Sequence, residues 1–549
     1  MSLRSVAALF VMMMIPSVAP ASPRARVAPD RQAAPDAPRT GAVCSRGENQ
    51  CHAHVQITAA GEIAAAAAPP GDGLGPADLQ SAYQIDPATA RQGTIAIVDA
   101  YGYANLEADL GVYRAQFGLP PCTRANGCLK VVNQNGATSP LPAEPPPDDD
   151  WTVETALDAD MASAACPGCK ILVVQASDTS SINLYTAQNS AAAARPTVIS
   201  DSWGRPQQAG EDLTNHEPFF DHPGIAQFVS AGDSGYNESG RGPAYPSTSA
   251  HVIAVGGTAL TRSAGARGWS EVAWTMGGSS CSLSIPRPAF QAGSPCAFRA
   301  ASDIAAVGDP ATGVAVYNAA NGGWLVIGGT SAAAPLVAAI FAASGHGDAT
   351  AAQIAQIAQT APTTGALFDV TAGSNGPCGN RLCNAGVGWD GPTGHGTPSA
   401  TVLADTGSGP GTGTLTVAIT SPGDHATVKA GFKVTATASA DAVEVGLGID
   451  GALVATLTRG PYEFATPANL SFGPHLVQIA AADAQRNVVI SEIHIVVALG
   501  GGVGDVPADD ADDGHTGGCR AGRGAGAPAQ LALALVTVLA VRRRRRTMR

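Results

Sequence analysis

This sequence has few charged residues. Asp, Glu, Lys and Arg make up 14% of its 549 residues, whereas Gly (65) and Pro (40) are abundant. This composition indicates globular, loop-rich domains and excludes a disordered or coiled-coil chain. Acidic residues outnumber basic ones, 44 against 31, and the net charge of −13 would repel a phosphate backbone. Nucleic acid is therefore not expected as a partner. The length predicts two or three domains with tails.

A second Cys-x-x-Cys motif is also lacking. "CPGC" at 166–169 therefore cannot complete four zinc thiolates on its own, although a redox role for it stays open. Ten of the eleven cysteines form close couples in sequence, which predicts five local disulfides and an oxidising compartment. The couples are Cys44 with Cys51, Cys122 with Cys128, Cys166 with Cys169, Cys281 with Cys296, and Cys378 with Cys383. Cys519 is left over.

The amino terminus predicts export. Residues 1–21 contain Arg4, an uncharged apolar run and then Ala19-Pro20-Ala21, which fits a signal-peptidase site. An apolar membrane anchor is the alternative, but the run is short and ends in prolines. Residues 22–75 are rich in Ala, Pro and Arg and are expected to form a linker or short pro-segment.

Residues 76–402 alternate short apolar runs with Ala-rich helical stretches, as in "GTIAIVDAYG", "PTVISDSWG" and "IAQFVSAGDSG". This pattern predicts an α/β domain with a parallel sheet, whose active site lies at the strand ends. A Gly-rich linker is predicted at 403–414. Alternating polar and apolar residues at 415–499 then predict an all-β sandwich of immunoglobulin type.

The carboxyl-terminal end is unusual. An acidic spacer at 500–516 precedes residues 517–549, which hold a Gly-Gly-Cys, eighteen uncharged residues and five consecutive arginines. Eighteen residues can just span a bilayer as a helix, with the arginines on the cytoplasmic side. The stretch resembles the sorting tag of myxobacteria, which implies that Cys519 is a processing or lipidation point. A plain tail anchor is the alternative, and both predict a secreted protein held at the cell surface.

The stretch "GGTSAAAP" at 328–335 predicts a nucleophile. Gly328 and Gly329 would let the backbone approach a substrate closely, and a helix that starts beside Ser331 would favour developing negative charge. A nucleophilic serine also needs a base and a donor aimed at the oxyanion.

The Gly-Thr-Ser-Ala-x-x-Pro element resembles that of the subtilisins, which implies a histidine base in a His-Gly-Thr motif well before the serine, and that motif is missing there. "HGT" occurs only at 395–397, after the serine. His216, His222 and His251 precede the serine but lie in plain loop contexts, where we interpret them as surface residues.

An acidic helix precedes the serine instead, in "DDDWTVETALDADMASAAC". Three- and four-residue steps place one set of residues on a single face: Trp151, Glu154, Asp158, Met161 and Ala165. Asp160 points roughly the other way. Two carboxyl groups in a partly dry site raise at least one pKa, which makes a carboxylate usable as a general base.

A further acid lies in "FVSAGDSGYN", where Asp233 follows an apolar strand. Subtilisins have a similar strand and turn with an Asn there, whose amide donates to the oxyanion. A carboxyl group can donate a hydrogen bond only when it is protonated, so an Asp at this position favours activity at acidic pH. The alternative is an Asp that merely closes a turn.

Together these motifs resemble the sedolisins, or serine-carboxyl peptidases, whose fold is subtilisin-like and whose base is a glutamate. The resemblance covers residues 76–402 and includes Glu-x-x-x-Asp, "SDSWG", "SAGDSG", "YPSTSAHVIAVGGT" and "GGTSAAAP". It implies the following roles: Ser331 as nucleophile, Glu154 as general base, Asp158 as the group that orients Glu154, and Asp233 as oxyanion donor. It also implies a monomer that cleaves proteins or peptides, by endopeptidase or tripeptidyl-peptidase action.

The resemblance also implies one structural Ca²⁺. "FDVTAG" and "AGVGWDGPTGHGTP" supply the implied ligands: the carboxylates of Asp369 and Asp390 and the carbonyls of Val370, Gly386 and Gly388. Independently of the family, two carboxylates among Gly-rich turns suit a hard cation. The chain departs from the family in having only residues 22–75 where sedolisins carry a long folded pro-domain.

Two other functions compete with an acid peptidase. An inactive peptidase-like domain in a surface adhesin is compatible with the sandwich and the anchor. A histidine-dependent subtilisin would need His216 or His222 as its base.

Overall fold

In the computed structural model, the described residues are 38–498 except 45–46, 147–148, 402, 404–414, 440–441, 443, 451 and 483–487. The chain divides into two compact units, Met1–Gly407 and Ser408–Arg549. This division falls inside the Gly-rich stretch predicted as a linker. The predicted signal peptide, acidic spacer and sorting tag, with Cys519, lie outside the described residues. No helix within the described ranges is both long and apolar enough to cross a membrane.

The first unit mixes helices and strands. Its helices are α1 (Pro76–Ala82), α2 (Leu106–Gln116), α3 (Trp151–Ala165), α4 (Ser181–Ala193), α5 (Ala209–Glu211), α6 (Thr330–Ser344) and α7 (Ala351–Thr364). The strands up to residue 245 are β1 (Thr40–Ala42), β2 (Gln50–Cys51), β3 (His54–Gln56), β4 (Thr94–Ala100), β5 (Leu129–Asn133), β6 (Lys170–Ala176), β7 (Val198–Asp201), β8 (Trp203–Pro206), β9 (Ala226–Ser230) and β10 (Ala244–Tyr245). The remaining strands of this unit are β11 (Ile253–Arg262), β12 (Trp269–Ala273), β13 (Ser280–Pro286), β14 (Phe298–Ala301), β15 (Ile304–Val307), β16 (Val314–Asn318), β17 (Gly323–Gly328), β18 (Leu367–Phe368) and β19 (Thr397–Pro398).

The central sheet confirms the predicted parallel α/β fold. Its strand order is β12-β11-β9-β7-β4-β6-β5, with β15 also paired to β11. Only the β11–β12 pair is antiparallel among these. The inner strands are apolar along most of their length because helices cover both faces of such a sheet. Their carboxyl ends therefore meet at one edge, where α3 and α6 also begin.

Helices α3 and α6 pack against each other beside this edge. Helix α3 begins after Asp150, whose side chain accepts a hydrogen bond from the Thr152 backbone N–H. Every residue of α3 is buried, so the expectation of one buried stripe is too narrow. Asp160 does lie apart from Glu154 and Asp158, but it is buried against other groups and accepts a hydrogen bond from the Tyr317 N–H at 3.2 Å. A helix covered on all sides needs no solvated face.

The segment expected as a linker contributes strands to the first unit. Strands β1 and β3 form a four-stranded sheet in the order β1-β3-β17-β16, and β2 joins β8 and β10. Their partners lie far away in sequence, which is why local composition could not reveal them. Residues of this segment thereby reach the strands that flank the predicted nucleophile.

The second unit confirms the predicted immunoglobulin-like sandwich. Its strands are β20 (Val417–Ser421), β21 (Ala426–Val428), β22 (Lys433–Ala438), β23 (Glu444–Ile449), β24 (Ala452–Leu457), β25 (Tyr462–Ala465), β26 (Gly473–Ala482) and β27 (Val488–Val497). They form two sheets, β20-β22-β25 and β21-β27-β26-β23-β24. Inward-facing aliphatic residues such as Val445, Leu447 and Ile479 make the core between them.

All five predicted disulfides are formed, which confirms the sequential pairing. They join Cys44 to Cys51, Cys122 to Cys128, Cys166 to Cys169, Cys281 to Cys296, and Cys378 to Cys383. The two sulfurs of "CPGC" are therefore bonded to each other.

Candidate active site

Ser331 lies in the first turn of α6, immediately after strand β17 and Gly329. Gly329 has a φ of +107°, a conformation that favours glycine. A methyl group built on Gly329 would fall 2.0 Å from the carbonyl oxygen of His52 and 2.6 Å from Asp233 Oδ2. The turn therefore requires glycine for both its backbone angle and its close contacts. The position of Ser331 at a helix amino terminus favours negative charge beside it.

Glu154 and Asp158 stand one turn apart on α3, and both side chains are fully buried. Burial raises the pKa of Glu154 well above its ordinary value, and the nearby Asp99 raises it further. The Ser331 hydroxyl lowers the pKa of Glu154, so this hydroxyl lies next to the Glu154 carboxyl group. Neither oxygen of Glu154 has a hydrogen-bond partner of ordinary geometry, so we regard the two groups as adjacent but not hydrogen-bonded here.

Asp158 accepts a hydrogen bond from the Ser202 hydroxyl at 2.9 Å. Burial raises its pKa well above the usual range, and the charges of Asp99 and Glu154 add to the rise. The two carboxyl groups of α3 therefore cannot both be ionised easily. A proton on Asp158 would leave Glu154 ionised and able to accept the proton of Ser331.

Sequence reasoning missed two further buried acids, Asp99 and Asp201. They stand at or near the carboxyl ends of the adjacent parallel strands β4 and β7, where Val98 is in register with Asp201. Burial raises the pKa of Asp99 to about 7 and that of Asp201 well above its ordinary value. The signal was present, because the apolar runs "GTIAIVDAYG" and "PTVISDSWG" both carry an Asp near their end. Their parallel pairing brings these acids beside the α3 carboxyl groups.

Asp233 follows β9 and is tied to the residue before the nucleophile. Its Oδ1 atom accepts hydrogen bonds from the Thr330 backbone N–H at 2.8 Å and from the Thr330 hydroxyl at 2.7 Å. Its Oδ2 atom lies 3.6 Å from His54 Nε2 and faces Gly329. With Oδ1 occupied as an acceptor, Oδ2 is the oxygen available to carry a proton toward a substrate carbonyl.

The Ser331 hydroxyl and amide are both engaged. The hydroxyl donates to the Ser202 carbonyl at 3.2 Å and accepts from the His52 N–H at 3.1 Å. The Ser331 backbone N–H donates to the His52 carbonyl at 3.0 Å. His52 was not singled out in the sequence, although "CHAH" at 51–54 follows a paired cysteine.

The histidines considered as a base make their contacts with other groups. His216 Nδ1 lies 2.7 Å from Asp212, and His251 lies near Glu217 and Asp221. His222 is half-buried in a separate cavity. The "HGT" at 395–397 lies in the loop that carries the predicted calcium ligands, where the His395 N–H donates to the Asp303 carbonyl.

The predicted calcium ligands lie in one loop region. Asp390 is fully buried and accepts hydrogen bonds from the Gly386 N–H and the Thr393 N–H, both at 2.9 Å. Asp369 accepts one from the Gly388 N–H at 2.9 Å. Burial raises the pKa of Asp390 to about 7, and the charge of Asp369 contributes to the rise. Asp369 is exposed, whereas Asp390 is buried. A divalent cation would stabilise the buried Asp390 carboxylate next to the charge of Asp369, so the residues fit a hard metal ion.

Comparison with known proteins agrees with this geometry. Residues 153–396 match the model of the subtilase family, and residues 416–479 match that of a bacterial Ig domain. Kumamolisin from Bacillus sp. (strain MN-32) is 32% identical over 293 residues, which are 49% of this chain and 51% of kumamolisin. The chain thus matches about half the length of this curated relative.

A solved structure of Pseudomonas sedolisin, a serine-carboxyl proteinase complexed with two molecules of pseudo-iodotyrostatin, is also similar. It is 25% identical with a TM-score of 0.52, and the match covers 61% of this chain and 97% of that one. The predicted subtilisin-like fold is confirmed. Through its first unit, the chain is similar to the sedolisins, as the sequence motifs predicted.

Proposed function

We propose that this protein is a serine-carboxyl endopeptidase that hydrolyses peptide bonds of proteins at acidic pH. The observation that carries the proposal is the position of Ser331 between two acid groups. The buried Glu154 lies on one side, and Asp233 lies on the side of Gly329. The His52 backbone N–H contacts the Ser331 hydroxyl, but the His52 ring faces the Ser230 hydroxyl instead.

Glu154 accepts the proton of the Ser331 hydroxyl as Oγ attacks the substrate carbonyl carbon. Asp158 lies next to Glu154, and its charge and protonation state tune those of Glu154. The Ser202 hydroxyl donates a hydrogen bond to Asp158 and fixes its position. The proton then passes to the leaving amine, and water attacks the acyl-enzyme by the same route in reverse.

The tetrahedral oxyanion would lie between the Ser331 N–H and Asp233 Oδ2. The backbone donor is present at every pH, whereas the carboxyl donor requires a proton on Asp233. Glu154 must be ionised to act as a base. The active form of the enzyme therefore has Glu154 ionised and Asp233 protonated at the same time. Activity should therefore follow a bell-shaped curve with its alkaline limb set by Asp233.

Endopeptidase action is favoured over tripeptidyl-peptidase action by the way residues 49–56 occupy the cleft. Three residues, Gln50, Cys51 and His52, lead to the Ser331 hydroxyl, and the chain continues before them through Asn49, whose N–H donates to the Thr179 carbonyl. A cleft that releases tripeptides must be closed beyond the third residue. This one accepts a longer chain.

We further propose that one Ca²⁺ binds at Asp369 and Asp390, with the carbonyls of Val370, Gly386 and Gly388. The ion would neutralise two nearby carboxylates and join the loops that carry them. We also propose that the signal peptide directs export and that residues 517–549 attach the protein to the envelope. The protein would then act as a monomer on protein substrates at the cell surface.

A pH–activity profile tests this function. Acid-denatured protein is incubated with the wild-type chain and with Ser331→Ala at pH 2–9, with and without a calcium chelator. The proposal predicts an optimum below pH 6 for the wild type and no activity for Ser331→Ala. Equal digestion by both proteins would favour the inactive adhesin instead, and an optimum above neutrality would favour a histidine base.

A further inference from the structure

Asp233 belongs to a tight turn, residues 232–237, which we call the oxyanion turn. Its side chain is anchored to the helix of the nucleophile, but the backbone of the turn must be held by other elements. Asn237, Glu238 and Ser239 have φ values of +52°, +47° and +52°. Such left-handed angles are unfavourable for consecutive non-glycine residues and persist only where neighbouring contacts impose them. The turn therefore needs support from outside its own sequence.

Residues 276–279 supply the first support. The backbone N–H groups of Gly235 and Asn237 donate to carbonyls of this segment at 2.8 and 2.7 Å. In the opposite direction, the Gly278 N–H donates to the Gly232 carbonyl at 2.6 Å. The segment itself contains two successive glycines in "MGGS", so its own sequence gives it little rigidity. It must be held by a further layer.

That layer is a loop of residues 374–383, which is closed by a disulfide and which we call the disulfide loop. The Tyr236 N–H donates to the Asn375 carbonyl at 2.8 Å. Gly235 has a φ of +75°, and a methyl group built on it would fall 2.6 Å from the same carbonyl oxygen. The backbone of the disulfide loop thus lies directly against the oxyanion turn.

Asn375 joins all three layers. Its side chain is buried, and its Nδ2 atom donates to the Gly277 carbonyl at 2.6 Å and to the Ser279 hydroxyl at 2.8 Å. The Ser279 hydroxyl donates in turn to the Leu382 carbonyl at 2.6 Å. Asn375 therefore holds the oxyanion turn through its carbonyl and the 276–279 segment through its amide.

The disulfide holds Asn375 in place. The Asn375 N–H and the Ser374 hydroxyl both donate to the Cys383 carbonyl, at 2.9 and 2.8 Å. Cys383 is bonded to Cys378, whose N–H lies 2.8 Å from the Cys383 sulfur. A covalent link across a short loop restricts the conformations that the loop can adopt when it opens. Loss of the disulfide should therefore loosen the acceptor of the Tyr236 N–H.

We propose that Asn375 is a positioning residue for catalysis, which together with the Cys378–Cys383 disulfide fixes the oxyanion turn and thereby the place of Asp233 Oδ2. The inference rests on the proposed peptidase function. Asn375 acts through the backbone of the turn and not on the substrate. A displaced donor stabilises the tetrahedral intermediate less, whereas the uncharged carbonyl of the bound substrate depends little on it. The support should therefore contribute to kcat and not to KM.

Steady-state kinetics on a peptide substrate separate these two effects. Asn375→Ala and Cys378→Ser/Cys383→Ser should each lower kcat about 10–10²-fold, with KM within about twofold of wild type. Cys122→Ser/Cys128→Ser is the matched control, because it removes a disulfide of similar span elsewhere in the same unit, and its kcat should stay within about twofold of wild type. If Asn375→Ala does not fold, the disulfide variant and its control carry the test. Equal kcat in the disulfide variant and its control would overturn the inference.

A pair of inhibitors distinguishes misplacement of the donor from a general loss of structure. A peptide aldehyde adds to Ser331 Oγ and places an oxygen where the oxyanion forms, whereas the peptide alcohol of the same sequence binds without that bond. Cys378→Ser/Cys383→Ser should raise Ki for the aldehyde at least about tenfold and leave Ki for the alcohol within about twofold. An equal rise for both inhibitors would contradict a role for the disulfide loop in positioning the donor.

Hydrogen exchange tests the contact without any need for activity. Amides of residues 232–240 should exchange at least about tenfold faster in full-length Cys378→Ser/Cys383→Ser than in the Cys122→Ser/Cys128→Ser control. Equal exchange in these two proteins, with a wild type that digests denatured protein, overturns this inference alone. A folded wild type that digests no protein overturns the proposed function and the catalytic role of Asn375 with it.

Discussion

Asp233 accepts two hydrogen bonds from Thr330 through a single oxygen, Oδ1, at 2.8 Å from the backbone nitrogen and 2.7 Å from the hydroxyl. Its other oxygen faces Gly329 and the carbonyl that occupies the site. The carboxyl group is thus oriented so that one oxygen anchors it to the nucleophile's helix. The other oxygen can donate to an oxyanion only when it carries a proton.

This orientation predicts the effect of Asp233→Asn. The amide oxygen would accept from Thr330, and the amide nitrogen would donate toward the oxyanion at every pH. We expect the alkaline limb of kcat/KM to move to higher pH in this variant, so that activity at pH 7 relative to pH 4 increases. Asp233→Ala, which removes the donor, should instead lower kcat about 10²–10³-fold. An unchanged alkaline limb in Asp233→Asn would contradict the role of the proton.

Asp99 should influence Glu154 only where Asp99 is itself charged. Its charge raises the pKa of Glu154, but burial raises the pKa of Asp99 to about 7, so Asp99 is neutral through most of the acidic range. Asp99→Asn should therefore leave the acid limb of kcat/KM unchanged below pH 6 and should alter the profile only near and above pH 7. Asp160→Asn is the control, because Asp160 is buried on the same helix but acts on other groups. Profiles of both variants between pH 2 and 9 measure the effect, and a shift of the acid limb below pH 6 in Asp99→Asn would contradict the assignment.

Calcium should stabilise the first unit. Since a ligand that binds only the folded state raises stability by mass action, millimolar Ca²⁺ should raise Tm and a chelator should lower it. Asp390→Asn should abolish this dependence, whereas Asp309→Asn, which changes a half-buried acid outside the predicted ligands, should keep it. Differential scanning fluorimetry measures Tm in each case. Identical Tm values for the wild type with and without calcium would contradict the site.

The seating of His52 should weaken at low pH. Burial, Arg241 and His54 together lower the pKa of His52 from 6.5 to about 3, so the seated ring is neutral while the released ring takes up a proton below pH 6.5. Release of residues 49–57 from the cleft therefore becomes easier by up to about tenfold per pH unit between pH 6.5 and 3. Hydrogen exchange of residues 49–57, corrected for intrinsic rates, measures opening in Ser331→Ala. Adding His52→Leu should remove the dependence attributable to this ring.

Much of the fold followed from local patterns in the sequence. Apolar runs that end near Asp or Gly identified β4, β7 and β9, and close spacing identified all five disulfides. The stripe of Glu154 and Asp158 was visible because a helix places residues four apart on one face. These features depend on neighbours in sequence, where the pattern carries most of the information.

The remaining features depend on long-range pairing. Asp99 and Asp201 become neighbours only because β4 and β7 pair in parallel register. His52 reaches Ser331, 279 residues later, only because β2 and β3 add to two different sheets. Neither β2 nor β3 exceeds three residues, so their periodicity is too short to detect. The occupied state of the cleft was therefore invisible in the sequence.

The most direct test of the central claim is kcat on a peptide substrate for Glu154→Gln, purified free of active enzyme. A glutamine keeps the size of the side chain but cannot accept the Ser331 proton, so we expect kcat to fall at least about 10³-fold with intact folding. His216→Ala and His222→Ala should stay within a few-fold of wild type. Retained activity in Glu154→Gln, together with its loss in a histidine variant, would contradict activation of Ser331 by a carboxylate.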